Sequence, residues 1–190
     1  MKKSRYEVIE VLSSKKGDNG EEACKFCLPE LNEIYPWCMA FVSLMMIKYF
    51  NIKDFPKTTS CTQFFNSSFS HKRINQSYET AEVGDIIEYN WDSDSSVDHV
   101  GIVINRTGDS IKVIEGNYGD KPSNLTTVGV RSFSISDYKR RGFLHCIIDM
   151  SEFFTDEPID KEIKENDKTI ALMEMRKHLQ DIVNLFDKIV

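Results

Sequence analysis

The chain of 190 residues is 41% hydrophobic and 28% charged with a formal net charge of −6, proportions that suit one globular domain with a core plus an appendage. The acidic balance argues against nucleic acid, which asks for a basic face. No apolar run nears the ~20 residues that span a bilayer, so no membrane partner is expected either.

In chain order, residues 4–14 (SRYEVIEVLSS) carry Tyr6, Val8, Ile9 and Leu12 at helical spacing, and KKGDNG at 15–20 reads as a turn. The start, MKKSRYEVIE, has no apolar segment behind its basic residues, so synthesis in the cytoplasm without a signal peptide is expected. A second helix is predicted over 21–33 despite Pro29. Pro36 then suits a first helical turn, and Trp37 to Phe50 is apolar on most faces, which predicts a buried helix. Residues 57–68 read as a further short helix, with Thr58, Thr59 and Ser60 suited to its start.

From residue 83 the period changes. VGDIIEYNW, VDHVGIVIN, SIKVIEGN, TTVGVRSFS and GFLHCIID are short, rich in β-branched and aromatic residues, and parted by Gly, Asp, Ser and Asn. TGDS at 107–110 reads as a hairpin turn. Helices first and strands second predict an α+β domain over 1–149, its N-terminal helices packed on an antiparallel sheet. Residues 150–166 are acidic and mixed and read as a linker. In 167–190, Leu172, Met175, Leu179, Ile182, Phe186 and Ile189 alternate spacings of three and four. That predicts an amphipathic C-terminal helix, packed on its own domain or available for oligomerisation or partner docking through 172–190.

Five cysteines stand at 24, 27, 38, 61 and 146, an odd number at irregular spacing and not a disulfide framework. Cys24 and Cys27 form a CxxC without a second half, so zinc is not expected. Cys38 opens the buried helix, where free N–H groups and the helix dipole favour an anion. A thiol so placed can ionise at ~3.5–7.5 instead of ~8.5. His99 lies in an apolar strand beside Gly101, which lets another group come close. The next strand ends in IEGN, so an antiparallel hairpin brings Glu115 or Asn117 near His99. Either would fix the imidazole in a nucleophile–base–orienter set.

PWCMAFVS at 36–43, VGDIIEY at 83–89, DHVGIV at 98–103 and IEGN at 114–117 resemble, in that order, the CHAP family of cysteine- and histidine-dependent amidohydrolases and peptidases. The resemblance runs from about residue 6 to 148. It implies a papain-like fold, Cys38 as nucleophile, His99 as base, Glu115 as its orienter and Asn117 as a fourth polar member. It also implies cleavage of an amide bond in peptidoglycan, as an N-acetylmuramoyl-L-alanine amidase or an endopeptidase, through an acyl-enzyme. The expected partner is a peptidoglycan stem peptide, and the place of action the bacterial cell wall. Phage lysins are of this kind. The alternative is a papain-like thiol peptidase or acyltransferase on a non-wall substrate, such as an injected toxin would use.

TTSCTQFF at 58–65 resembles the family's helix before the sheet, which makes Cys61 a core cysteine. Trp37 and Tyr118 flank two of the motifs and are expected to bind substrate. No cofactor or metal is expected. Asp18, Asn19, Glu21 and Glu22 lack the alternating pattern of a calcium loop, and Asp92, Asp94 and Asp98 read as a solvated hairpin loop.

Overall fold

Ser4 sets the first helix. Its hydroxyl accepts the N–H of Glu7 at 3.3 Å, while the Glu7 carboxylate accepts the N–H of Ser4 at 2.8 Å, a reciprocal cap that satisfies two otherwise free donors. A computed structural model describes residues 2–156 apart from 31, 32, 76, 93 and 95. The predicted helix at 167–190, the linker from residue 157 on and any docking through 172–190 lie outside the described residues.

Strand β1 (Lys3–Ser4) leads into helix α1 (Arg5–Ser14), and helix α2 covers Glu21–Cys27. The prediction for α2 ran to residue 33. The helix stops two residues before Pro29, which disfavours helical geometry in the residue ahead of it. Helix α3 (Cys38–Leu44) continues as a π-helical turn over Met45–Tyr49, and every residue of α3 is buried. Pro36 and Trp37 stay outside it, so Cys38 is the first helical residue.

The helix predicted over 57–68 is two. Ser60 caps α4 (Cys61–Phe65) by accepting the N–H of Gln63 at 3.2 Å. Ser67 caps α5 (Ser68–His71) by accepting that of Ser70 at 3.2 Å. Serine competes for backbone donors, and here it restarts the chain in mid-segment.

Strands β2 (Ile74–Asn75), β3 (Ile86–Tyr89), β4 (His99–Thr107), β5 (Ser110–Tyr118), β6 (Thr127–Ser134) and β7 (Leu144–Ile148) form an antiparallel sheet in the order β2-β7-β3-β4-β5-β6. Thr107 pairs with Ser110 across the predicted turn, where Gly108 has φ 59°. Between β6 and β7 lies helix α6 (Ile135–Arg140), too short to show a period in the sequence. One sheet face packs Ile86, Val100, Ile102, Ile114 and Ile148 against the N-terminal helices. The other packs Ile87, Tyr89, Val113 and Phe133 with Tyr138 of α6.

Residues 150–155, read from composition as the start of a linker, instead belong to the domain. Met150 and Phe154 are buried, and β8 (Phe154–Thr155) pairs in parallel with β1. The compact unit runs to Thr155. Among the described residues no helix is long and apolar enough to cross a membrane.

Candidate active site

Cys38 is held at the first turn of α3, whose Phe41 N–H already bonds Trp37 O at 2.9 Å. The remaining first-turn donors have no partner within the helix, and the Met39 N–H points at the thiol. The imidazole of His99 lies close enough to the same thiol for each to shift the ionisation of the other. Its Nε2 stands 3.1 Å from Glu115 Oε2, so Nδ1 is the nitrogen left for Cys38. Sulfur and ring are both nearly closed off, at 5% and 8% exposure. The thiol is buried beside Cys61, the first residue of α4.

The Glu115 side chain reaches His99 because Gly101 lies between them. A Cβ on Gly101 would stand 2.7 Å from Glu115 Cγ and 2.4 Å from Val113 Cγ1, closer than any tolerated carbon contact. Gly116 serves the other face in the same way. A Cβ there would stand 2.5 Å from Phe41 Cβ, so the glycine lets α3 lie directly on β5.

Behind Glu115 stands a group the sequence reading passed over. Arg131 of β6 donates through Nε to Glu115 Oε1 at 2.9 Å and Oε2 at 3.0 Å. Its guanidinium lies between the rings of Trp91 at 5.3 Å and Tyr118 at 5.2 Å. The signal for it was a lone arginine in an apolar strand, on β6 two residues beyond Gly129, which pairs with Glu115.

Burial alone would raise the Glu115 carboxyl, which has no exposed surface, but His99 and Arg131 outweigh burial and hold it below its usual range. Burial likewise opposes the charge on His99. The neighbouring Cys38 and Glu115 overcome it and push the imidazole up to about 10. Cys38 goes the other way. The Cys61 thiol beside it and then His99 outweigh burial and hold it well below the usual thiol range. The row Cys38–His99–Glu115–Arg131 therefore alternates in sign and sums to zero when Cys38 is a thiolate. A buried row of charges is tolerable only when balanced in this way.

A cavity of about 430 Å³ opens beside His99. Trp91, Tyr138 and Phe143 supply its aromatic wall, and Asn117, Arg131 and Arg141 its polar one. Asn117 has a left-handed φ of 54°, and its Oδ1 accepts from Thr126 Oγ1 at 2.7 Å. It shares the cavity with His99, while the imidazole takes Glu115.

Trp37 corrects its expectation of substrate contact. The ring is wholly buried, and its Nε1 donates to Ser123 O at 3.2 Å and Thr126 Oγ1 at 3.1 Å. It has no surface to offer. Tyr118 lies under Arg131 and is absent from the cavity wall.

Cys24 and Cys27 are free thiols, both pushed up by burial, Cys27 to about 11. The carboxylates of Asp92, Asp94 and Asp98 lie within 4.8 Å of one another on the surface. They hold their own loop: Asp94 accepts from Ser96, and Asp98 accepts the Trp91 N–H at 2.6 Å. Of the other acidic set, Asn19 accepts the Glu21 N–H at 3.0 Å, and Glu22 takes Lys48 at 2.7 Å and Tyr49 at 3.0 Å.

Residues 31–117 match the CHAP domain family. That stretch holds Cys38, Cys61, His99, Glu115 and Asn117 and stops short of Arg131. No curated protein matches the chain.

Proposed function

We propose that the chain cleaves an amide bond of a peptidoglycan stem peptide with Cys38 as nucleophile, on the strength of the match of residues 31–117 to the CHAP domain family, whose members point to amidase or peptidase hydrolysis. The observation that carries this reading is the buried row Cys38–His99–Glu115–Arg131, whose alternating charges favour a thiolate before any substrate arrives. A papain-like arrangement, with the nucleophile on a helix start and the base on a sheet, is compatible with the mixed α/β architecture and its antiparallel sheet.

The steps follow from the groups present. The Cys38 thiolate attacks the amide carbonyl, and the first-turn N–H groups of α3 stabilise the oxyanion. His99, charged and held by Glu115, gives its proton to the leaving amine. Water, deprotonated by the now neutral His99, hydrolyses the thioester and restores the pair. The cavity beside His99 supplies aromatic groups, two arginines and Asp120 for the remainder of a peptide. In this reading the protein is made in the cytoplasm and acts on the bacterial wall.

The test is turbidity of purified cell walls. Wild type is expected to clear them and Cys38→Ala to lose at least ~10³-fold in rate. Mass spectrometry of the fragments then tells amidase from endopeptidase. Failure of wild type to clear walls from several species would overturn the wall substrate and favour another amide or ester for the same thiol.

A further inference from the structure

Cys61 opens α4 and is 7% exposed. Its Sγ stands 3.5 Å from Sγ of Cys38, and both thiols are free. At that separation one sulfur can donate to the other, and the surroundings decide which. Cys38 faces the His99 imidazole and the Met39 N–H, both of which favour an anion. Cys61 also meets a helix-start N–H, its own, but the titratable groups that act on it, Cys38 and Glu88, are both acids. Glu88 of β3, a carboxyl with no exposed surface, acts on Cys61 and raises it. Glu88 Oε2 accepts from Cys146 Sγ of β7 at 3.1 Å, and its Oε1 has no partner among the described residues. An anion on Cys61 would meet the Cys38 sulfur and, once ionised, Glu88, whereas an anion on Cys38 meets the His99 imidazole, so the proton belongs on Cys61.

We propose that Cys61 is a positioning residue for Cys38: its S–H donates to the Cys38 sulfur and holds the thiolate in place for His99. The proposal rests on Cys38 being the nucleophile. Hydrogen bonds to an ionised acceptor are stronger than those between neutral groups, and here the donor lies in a dry site where water cannot compete. The two thiols are accordingly driven apart. The contact with Cys61 is the largest cause lowering Cys38, and the contact with Cys38 the largest raising Cys61. The titratable groups around the pair are His99 of β4 with Glu115 behind it, Glu88 of β3 and Cys146 of β7. Glu88 is itself pushed up to about 7 by burial, so below that pH it adds little charge against either sulfur.

The experiment is a pH titration of thiolate ultraviolet absorbance on the full chain, with Cys38→Ala subtracting the other four cysteines. It reads Cys38 directly and needs no substrate. Cys61→Ala is expected to raise the Cys38 midpoint by about one pH unit, a tenfold loss of thiolate on the acid side. Cys61→Ser keeps a donor and is expected to recover at least half of that displacement. A Cys61→Ala midpoint within about 0.3 unit of wild type, or a Cys61→Ser midpoint as displaced as that of Cys61→Ala, would overturn the proposal. His99→Ala in the same titration separates the two readings. If His99→Ala leaves the midpoint in place while Cys61→Ala moves it, the Cys38–His99 pairing fails and the thiol contact stands. The reverse result keeps the pairing and removes Cys61. Thermal midpoints of both Cys61 variants show whether the fold is kept.

Discussion

Apart from His99 itself, the neighbours of Cys38 are sulfur, hydrocarbon and backbone N–H groups, whereas those of His99 are full charges and aromatic rings beside an open cavity. The side of Cys38, the proposed nucleophile, is dry and short-ranged. Its anion is stabilised by a helix start and, in our proposal, by one thiol donor. The side of His99, the proposed base, is a row of charge that runs through Glu115 to Arg131, a residue from a third strand. The contrast implies that the two halves fail differently. Damage on the base side changes protonation, and damage near the nucleophile changes packing and the stability of buried acids.

The base side should break most severely. Glu115→Gln removes the anion that orients His99 and leaves Arg131 without its partner. A rate loss of about 10²–10³-fold is expected in wall clearing. The pH profile should change as well. In wild type the paired state persists upward until pH passes about 10, the His99 value, and the rate falls as the general acid loses its proton. Without Glu115 the folded value of His99 drops, so the alkaline limb moves to lower pH. The same sign holds for stability. A raised histidine contributes fully below its unfolded value of about 6.5 and loses that contribution as pH rises through its folded value. An unchanged alkaline limb in Glu115→Gln would remove Glu115 from the row.

Gly101→Ala sharpens the geometric part of the comparison. The added carbon displaces Glu115 and Val113. A loss of about 2 kcal/mol by chemical denaturation and a smaller rate loss of about tenfold are expected. Wild-type stability in Gly101→Ala would mean that the strands absorb the carbon freely.

On the dry side the smallest effect on rate is expected from Glu88→Gln, whose signature is a change in how stability depends on pH. A buried carboxyl at about 7 keeps its proton where the unfolded chain has lost it. Stability therefore falls as pH rises from about 4.5 to 7 and stays lower above. Glu88→Gln should gain about 3 kcal/mol at pH 8 relative to its own value at pH 4, compared with wild type. Asp85, raised to about 6 by burial despite N–H bonds from Glu82 and Met150 at 2.9 Å each, keeps part of the slope. Parallel stability–pH curves for the two proteins would show that Glu88 ionises freely in the fold.

Much of the site lay open to reading because its chemistry sits in short motifs. The helix start at Cys38, the strand of His99, the TGDS turn and IEGN on the returning strand follow from local pattern, and the hairpin register then brings Glu115 toward His99. Other features were hidden by sequence distance. Arg131 lies one strand beyond the hairpin, and only sheet order sets it behind Glu115. Cys61 reads as a core cysteine, which its burial agrees with, but its contact with Cys38 depends on how α4 caps against α3. Trp37 sits next to the nucleophile in sequence and yet points away, because successive residues at a helix start take different directions. Met150 and Phe154 lie in acidic company, and only the pairing of β8 with β1 draws them into the domain.

Taken by itself, then, the sequence determined the helix-then-strand order, the burial of α3 and the chemical types at Cys38, His99 and Glu115, since periodicity and turn chemistry act over a few residues. Tertiary structure alone decided how those groups are charged. Ionisation depends on neighbours within a few ångströms and on exclusion of water, and Arg131, Cys61 and Glu88 reach those positions only when the sheet and helices close around Cys38.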